Sequence, residues 1–332
     1  MFSKQIDFLA IGDIVTDAFI RLQEAHVTCS VDKESCELCM KFGDKIPYES
    51  LTVVNAVGNS ANAAVSAARL GLRSSLVANV GDDQNGKDCL AELRAQNVDA
   101  RFVDVSKGIP TNYHYVLWYG DERTILVKHQ NFPYRLPKIS RNPKWVYVSS
   151  LGGTSYEYHI KIIKWLEANP DIKVAFQPGT FQMSLGLEKL GALYRRSDLF
   201  FCNKEEAQRI LGTTEGDMKK LMSMMREKGP KIVVLTDGPN GAYAFDGTDA
   251  LFMPTYPDPK APYERTGAGD AFASTLTVAL ALGKTLKEAL LWAPINSAYV
   301  VQEIGAQKGL LSREKIERLV ASAPADYRPR NI

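Results

Sequence analysis

The sequence has no long apolar run, no block of like charges, no low-complexity stretch and no internal repeat. Because no apolar stretch is long enough to span a bilayer and no basic and apolar leader opens the chain, we expect a cytoplasmic protein. Its 40 basic and 38 acidic side chains leave a net charge of +2. This balance favours neither a nucleic acid nor a membrane surface as partner, so the expected ligand is a small molecule.

Cysteine is scarce as well, since five cysteines in 332 residues do not make a disulfide scaffold. Three of them, Cys29, Cys36 and Cys39, form a C-x6-C-x2-C pattern shortly after His26. These four side chains are the ligand types of a tetrahedral structural Zn²⁺ site, which is one hypothesis for the segment. Free cysteines in a loop or strand are the alternative.

The chain is 45% hydrophobic and long enough to bury the core of one large α/β domain. Strand-like runs alternate with amphipathic helical stretches, which predicts a mainly parallel sheet with helices on both faces. The predicted strands are 8–11, 75–80, 145–149, 173–176, 199–202 and 232–236. The predicted helices are 61–70, 85–96, 156–167, 217–228 and 285–302.

Two segments, about 18–54 and 102–130, break this alternation and read as hairpin-forming strands. The turn at residues 119–123 supports a hairpin in the second segment. Strands without covering helices could pair into a small sheet that projects from the core. Such a sheet would make a lid that excludes water from a reaction site, or an oligomerisation surface, and the two roles are compatible.

A glycine-bracketed turn, Gly267-Ala268-Gly269-Asp270, leads into an alanine-rich apolar stretch that predicts a helix. The two glycines allow the backbone to approach a ligand closely, and the free N–H groups and dipole of the helix start favour a phosphate. Asp270 would then accept the proton of an attacking hydroxyl as a general base. A short Gly-x-Gly turn is also common as a purely structural feature, which is the alternative.

Polar residues follow the first predicted strand and open the first predicted helix. Asp13 and Asp17 lie at the carboxyl end of that strand, where open α/β sheets bind ligands. Their carboxylates could bind sugar hydroxyls or cap the following turn. Gly58 and Asn62 lie where the chain enters a helix of small residues, and the Asn62 amide could bind a polyol or serve as a helix cap.

Two later strands also end in residues suited to a nucleotide. Asn203 and Glu206 lie on one face at a strand end and could orient water around a Mg²⁺ ion carried by nucleotide phosphates. Helix capping by Asn203 is the competing explanation. Thr236, Gly238 and Gly241 lie in and after another strand, in a turn that could approach a polyphosphate or form a plain hairpin.

In order along the chain, these motifs resemble the PfkB/ribokinase family of carbohydrate and nucleoside kinases. The family's Asp-Thr-x-Gly-Ala-Gly-Asp signature reads here as residues 264–270. Its N-terminal glycine signature resembles residues 58–71, followed by 80–86, and its Asn-x-x-Glu motif is Asn203 to Glu206. The likeness covers nearly the whole chain.

The resemblance implies a single domain over 1–332, with a Rossmann-like three-layer α/β/α core and a small projecting β-sheet lid. It also implies ATP and Mg²⁺ as cosubstrates and transfer of the γ-phosphate to a substrate hydroxyl. The implied catalytic residues are Asp270 as base and the N–H groups of Gly267, Ala268 and Gly269 as anion hole. The implied substrate residues are Asp13, Asp17, Gly58 and Asn62. The implied nucleotide residues are Asn203, Thr236, Gly238, Gly241 and Asn296, with Glu206 holding Mg²⁺ through water.

Three departures from the family pattern limit how far the family's residue roles apply to this sequence. Val57 replaces the first residue of the usual Gly-Gly pair, so the backbone there cannot approach a sugar as closely. Glu264 and Arg265 replace the Asp-Thr beside the monovalent-cation site of many relatives, which leaves potassium activation open. Arg265 could supply a fixed cation near the phosphates or form a solvent-facing salt bridge. The cysteine segment is not required by the family pattern, and zinc there could brace the lid.

The leading hypothesis is an ATP-dependent kinase of a small sugar. A nucleoside kinase is the alternative, because Tyr113, Tyr115, Trp118 and Tyr119 of the lid segment could stack on a base. A sugar or nucleotide sensor without turnover is the alternative from another class. We also expect a homodimer formed through the lid, since exposed strand edges need covering.

Overall fold

The computed structural model describes residues 5–30, 36–120 and 122–332. Residues 31–35 of the first predicted lid segment, and Asp121 in the predicted turn of the second, lie outside the described residues. The strands are β1 (Phe8–Ile11), β2 (Val15–Leu22), β3 (His26–Cys29), β4 (Cys36–Cys39), β5 (Tyr48–Val57), β6 (Ser74–Gly81), β7 (Val103–Ser106), β8 (Tyr113–Tyr119), β9 (Glu122–Leu126), β10 (Trp145–Val148), β11 (Lys173–Phe176), β12 (Leu199–Asn203), β13 (Ile232–Thr236), β14 (Ala242–Phe245), β15 (Ala250–Met253) and β16 (Arg330–Asn331). The helices are α1 (Asn59–Arg69), α2 (Gln84–Ala95), α3 (Tyr156–Glu167), α4 (Thr180–Arg196), α5 (Lys204–Leu211), α6 (Met218–Arg226), α7 (Ala268–Ala281), α8 (Leu286–Val300) and α9 (Arg313–Ala321).

A ten-stranded sheet forms the core, in the order β16-β15-β14-β13-β12-β11-β10-β1-β6-β7. The strands from β13 to β7 run parallel, and β14, β15 and β16 extend the sheet antiparallel. Along β1, Phe8 and Ala10 pack with α1, α7 and α8, whereas Leu9 and Ile11 pack with α3, α4 and α6. Because successive side chains of a strand point to opposite faces, this alternation buries both faces of the sheet under helices.

All six predicted strands and all five predicted helices are present, with small shifts at their ends. The sequence analysis predicted neither α4 nor α9, and glycines interrupt the helical pattern of α4. Gly186 lies inside that segment with φ 66, so the helix is broken there into two parts. In the described ranges, no helix has both the length and the apolar character needed to cross a membrane.

A separate four-stranded sheet has the order β5-β2-β8-β9 and is called the lid sheet below. β2 and β8 pair in parallel, and the other two pairs are antiparallel. The predicted lid boundaries need correction. The segment predicted as 102–130 includes β7, which pairs with β6 at the edge of the core sheet instead. Within the segment predicted as 18–54, β3 and β4 form their own two-stranded hairpin.

The zinc hypothesis is wrong, because the structure joins Cys29 and Cys36 by a disulfide. These two residues are direct partners across β3 and β4, so their sulfur atoms can meet. A disulfide removes two of the four thiolate and imidazole ligands that the hypothesis needs. Cys39 remains a free thiol, opposite His26 in the same hairpin. Among the described residues, no group of three or more histidine, cysteine or acidic side chains is placed to hold a metal.

Candidate active site

The turn before α7 positions Asp270 in the first turn of a helix. Gly267 is the N-cap residue, with φ 85, and a Cβ atom there would lie 2.3 Å from the Cβ of Ala306. Only glycine fits this left-handed, tightly packed position. A Cβ on Gly269 would meet no atom within 4 Å, so that residue faces open space. The helix start therefore has one glycine that the fold needs and one that leaves room for a ligand.

The carboxylate of Asp270 is buried and accepts hydrogen bonds from three side-chain amides. Asn59 and Gln177 donate to Oδ1 at 2.7 and 3.1 Å, and Asn62 donates to Oδ2 at 2.7 Å. Burial raises the pKa of Asp270 above its usual value, the three amides act in the opposite direction, and the charge of Asp17 adds to the rise. The structure thus brings together Asp270 and Asn62, which the sequence predicted, with two amides that it did not.

Two of the three amides are oriented by a further hydrogen bond. Gln307 donates from Nε2 to Oδ1 of Asn62 at 3.0 Å and to the backbone oxygen of Ala56 at 2.7 Å. Tyr147 donates its hydroxyl hydrogen to Oε1 of Gln177. Because each amide oxygen is occupied, each amide nitrogen is directed towards Asp270. Ala56 has φ 56, an unusual backbone conformation for alanine, immediately before the helix that carries Asn62.

The lid sheet contributes Asp17 from β2 and His114 from β8. The two residues are direct partners in the parallel pairing of these strands. Val54 of β5 pairs with Asp17 and approaches Gly305 of the core, so this face of the lid sheet points inwards. The charge of Asp17 contributes to the raised pKa of Asp270. The inward face of the lid sheet therefore carries Asp17, which the sequence predicted, and His114, which it did not.

The carboxylate of Asp13 already has hydrogen-bond partners within the protein. Tyr134 donates its hydroxyl hydrogen to the Asp13 carboxylate at 3.0 Å, the backbone N–H of Gly152 donates at 2.8 Å, and His129 Nδ1 lies 3.0 Å away. This pairing does not support the prediction that Asp13 binds a sugar hydroxyl. Gly58 also has an internal role, since a Cβ there would lie 2.8 Å from the backbone oxygen of Asp13.

A cleft of about 350 Å³ adjoins the start of α7. Several of the predicted residues line it: Thr236, Gly238, Gly241, Ala268 and Gly269. Asn296, which the sequence also predicted on the nucleotide side, does not line the cleft; it is fully buried and bonded within the protein. Its amide nitrogen donates to Thr275 Oγ1 at 2.7 Å, and its amide oxygen accepts from the N–H of Leu311 at 2.9 Å.

Asn203 and Glu206 form a reciprocal cap at the start of α5. The side chain of Asn203 accepts from the N–H of Glu206 at 2.8 Å, and Glu206 Oε2 accepts from the N–H of Asn203 at 2.9 Å. Burial raises the pKa of Glu206, and the charge of Asp270 contributes to the rise. Glu206 Oε1 has no hydrogen bond to the described residues, so this oxygen fits a water ligand of Mg²⁺.

The sequence profile described as pfkB family carbohydrate kinase matches residues 24–313. The chain belongs to this family. It is 27% identical to the ribokinase of Bacillus subtilis, covering 88% of this chain and 99% of that protein. It is 29% identical to an ATP-dependent 6-phosphofructokinase of Thermoanaerobacterium thermosaccharolyticum, over 75% of this chain and 80% of the relative.

Among solved structures, Arabidopsis thaliana ribokinase complexed with ribose and ATP aligns with this carbohydrate kinase with a TM-score of 0.79 and 21% identity. The alignment covers 96% of this chain and 99% of the other. This confirms the predicted fold class, a ribokinase-like α/β/α core with a small β-sheet lid. The prediction of an ATP-dependent carbohydrate kinase is confirmed at the level of the family.

In this kinase, the lid sheet contacts the segment just before the glycine turn that opens α7. The ring of Trp118 lies edge-on to Tyr263, with centroids 4.9 Å apart. Arg123 Nε lies 3.8 Å from Oε1 of Glu264, which is buried, and Oε2 of Glu264 has no hydrogen-bond partner. The free Oε2 fits a monovalent cation, yet the Arg123 guanidinium already brings positive charge to this carboxylate. Arg265 lines the cleft and lies 3.7 Å from Glu122 of β9.

Four polar residues of this kinase's site were not predicted: Asn59, Gln177, His114 and Gln307. Asn59 lies within the N-terminal signature, and Gln177 directly follows β11, so the rule that ligands bind at strand ends would have found it. His114 lies on a lid strand whose inward face cannot be told from its outward face by sequence. Gln307 follows α8, and no local pattern marks it.

Proposed function

We propose that this protein transfers the γ-phosphate of ATP to a hydroxyl group of a small sugar, with Asp270 as the general base. The observation that carries the proposal is the position of Asp270. Its carboxylate lies in the first turn of α7, beside cleft-lining Gly269, and accepts hydrogen bonds from α1 amides that lie on the lid side. A sugar held below the lid sheet and a nucleotide in the cleft would meet there.

The proposed reaction depends mainly on how the site positions the acceptor hydroxyl and the phosphoryl group. An acceptor hydroxyl would replace one of the amide donors at Asp270 and pass its proton to the ionised carboxylate. The raised pKa makes Asp270 a better base than an exposed aspartate at a helix start, while the three amides act on that pKa in the opposite direction. The N–H groups of Gly267, Ala268 and Gly269 would stabilise charge on the phosphoryl oxygens.

Glu206 would hold Mg²⁺ through water, on the phosphate side of Asp270. The ion, when bound with ATP, neutralises phosphate charge during transfer. One free carboxylate oxygen suits an ion that keeps several waters better than it suits a metal bound by protein alone. Glu206 lies in the first turn of α5, and the cleft is lined by residues of α7, α8 and the ends of core strands, apart from the lid residues that would bind the sugar.

The lid aromatics do not support the nucleoside alternative. Tyr113 and Tyr115 alternate with the inward-facing His114, so they lie on the outer face of β8. Trp118 is on the inner face but is buried against Tyr263, with its indole N–H donated to the backbone oxygen of Gly120. None of these three rings lies open above Asp270 for a base to stack on.

Asp270→Asn tests the proposal, with Asp82→Asn as the matched control at an exposed position. We expect the Asp270 variant to lose at least about 10²-fold of sugar-dependent ADP release, because the general base is gone. Binding of ATP and Mg²⁺, measured by calorimetry, should remain. Loss of nucleotide binding together with turnover would assign Asp270 a structural role. Ligand-induced thermal stabilisation without ADP release, in the unmodified protein, would indicate a sensor.

A further inference from the structure

Glu264 is a buried carboxylate at the start of the glycine turn, residues 267–269. Its side chain is 1% exposed, and its Oε1 accepts hydrogen bonds from the backbone N–H of Thr266 at 2.8 Å and from Thr266 Oγ1 at 2.6 Å. The backbone N–H of Glu264 donates to the backbone oxygen of Val301 at 3.2 Å. Because Thr266 directly precedes Gly267, the N-cap residue of α7, the orientation of the glycine turn depends on the Glu264 carboxylate.

This carboxylate and a guanidinium of the lid sheet each have one buried atom without a hydrogen bond. Among the described residues, Nε of Arg123 on β9 is a donor without an acceptor, and Oε2 of Glu264 is an acceptor without a donor. The Arg123 Nε lies 3.8 Å from Oε1 of Glu264, about 1 Å longer than a hydrogen bond. Buried polar atoms are rarely left unpaired, because their desolvation is then uncompensated. The donor and the acceptor therefore match in chemistry and belong to the same contact.

The ion pair with Arg123 gives Glu264 its compensating charge. A buried carboxylate is costly unless a positive charge accompanies it. In the ranges that the structure describes, Arg123 is the basic side chain paired with Glu264, and the other side-chain partner, Thr266, is neutral. Although Oε2 alone would suit a monovalent cation, the guanidinium already supplies a positive charge and would repel a second one. The protein itself therefore provides the cation for this carboxylate.

The packing of the lid sheet determines which lid residue meets Glu264. Two neighbouring residues of β9, Glu122 and Arg123, lie against two neighbouring residues of opposite charge, Arg265 and Glu264. Trp118, the cross-strand partner of Arg123, packs against the residue that precedes Glu264. The complementary order of charges on the two segments thus places Arg123 at Glu264.

We infer that Arg123 is a positioning residue for phosphoryl transfer. Its charge compensates Glu264, and the compensated carboxylate holds Thr266 and with it the N–H groups of the glycine turn. The inference rests on the proposed function and adds a lid residue that acts on this turn through Glu264. It also means that turnover needs no monovalent cation at Glu264, because the positive charge is part of the chain.

Arg123→Met and Arg123→Lys test the charge, since methionine keeps an aliphatic chain without it and lysine retains it. Arg313→Ala is the matched control, at an exposed arginine paired with Glu317. We expect Arg123→Met to lower kcat for sugar-dependent ADP release about tenfold and to change KM for ATP by less than about twofold, because one charged contact is lost. Arg123→Lys should recover most of this loss. Thermal unfolding checks that each variant folds. An unchanged kcat in folded Arg123→Met, or equal losses in both variants, overturns the role.

Glu264→Gln tests whether Arg123 acts through Glu264. The glutamine side chain keeps an oxygen for Thr266 and carries no charge that needs a partner. The double variant Arg123→Met, Glu264→Gln should therefore have a kcat about threefold higher than Arg123→Met alone. If the losses of the two single variants multiply in the double variant, the two residues act independently and the inference is overturned.

Potassium gives a readout that does not require turnover. In KCl and in tetramethylammonium chloride of equal ionic strength, the unmodified protein should show the same unfolding temperature and kcat values within about twofold, because its native state binds no specific cation. A larger gain in KCl, or a saturable rise of the unfolding temperature with KCl, overturns the inference and leaves the proposed function standing. Absence of turnover with every sugar contradicts the proposed function itself, and the unfolding temperatures still decide the cation.

Discussion

Asp270 has an environment in which burial and hydrogen bonding act on its pKa in opposite directions. Burial favours the neutral acid, whereas the amides of Asn59, Asn62 and Gln177 favour the carboxylate. Each amide donor removed should therefore raise the pKa further. Because the base acts in its ionised form, activity is lost as the pH falls through this pKa. The pH at which activity falls on the acid side of the profile therefore depends on the three amides.

Gln177→Leu should move the acid limb of kcat/KM to higher pH. Loss of one amide donor is worth about 0.5–1 pH unit, from the typical energy of one hydrogen bond. Tyr147→Phe is the matched variant, because it keeps Gln177 but removes the hydroxyl that orients it. It should shift the limb in the same direction by less. An acid limb that stays in place in Gln177→Leu would contradict the account of Asp270.

The two glycines of the turn that opens α7, Gly267 and Gly269, should respond differently to substitution by alanine. Gly267→Ala places a methyl group in a left-handed position against Ala306 and should lower the free energy of unfolding by about 1–3 kcal/mol. Gly269→Ala adds a methyl group in open space beside the cleft. It should keep the stability, measured by urea unfolding, and raise KM for ATP. Equal destabilisation by both variants would contradict this distinction.

Local signals were enough to locate some residues of the site and not others. Asp270 and Asn62 lie in short motifs with glycines and helix starts nearby, so the sequence pointed to both. The hydrogen bond from Gln177 to Asp270 spans 93 positions, and the donors to Asp13 lie 116 to 139 positions away. Whether a carboxylate is free or already paired depends on such distant partners. The sequence therefore could not show that Oδ1 of Asp17, unlike the Asp13 carboxylate, has no hydrogen-bond partner among the described residues.

At the scale of elements, alternation along β8 separates the two faces of the lid sheet. His114 and Trp118 point inwards to the site and to Tyr263, while Tyr115 points outwards and is 48% exposed. The sequence shows that side chains along β8 alternate between two faces, but which face is covered depends on how the lid sheet packs against the core. This explains why the lid aromatics suggested base stacking before the structure showed where they point.

The hairpin of β3 and β4 predicts a simple chemical result. With Cys29 and Cys36 joined, Cys39, Cys89 and Cys202 are the remaining thiols. Thiol titration of protein purified without reductant, in denaturant, should therefore give three thiols per chain, and five after reduction. Treatment with a zinc chelator should leave the unfolding temperature unchanged. Five thiols without reduction would contradict the disulfide.

At the scale of the whole molecule, we propose that residues 1–332 form a single domain that dimerises through the lid sheet. The lid sheet contacts the core through Trp118 at Tyr263 and Arg123 at Glu264, which ties the two into one unit. The outer face of the lid sheet carries a row of paired side chains, Val53, Ala18, Tyr115 and Leu126. Its large apolar members, together with Leu51, are 46 to 52% exposed. A second copy would cover this face.

Light scattering should therefore give twice the chain mass of 36.7 kDa. The double variant Leu51→Glu, Leu126→Glu places charges on the outer face and should shift the protein to the mass of one chain. Val105→Glu is the control, because Val105 is an exposed apolar residue of the core sheet edge. A monomer before substitution, or a dimer that resists the double variant, would rule out the lid interface.

The most direct test of the central claim is to follow the γ-phosphate of ATP by phosphorus NMR, with Mg²⁺ and an uncharged sugar. We expect a sugar phosphate ester and ADP to form in equal amounts, and neither to form with Asp270→Asn. Formation of ADP with free inorganic phosphate, or ester formation that persists in the variant, would contradict the role of Asp270 as the general base that accepts the proton of the attacking sugar hydroxyl.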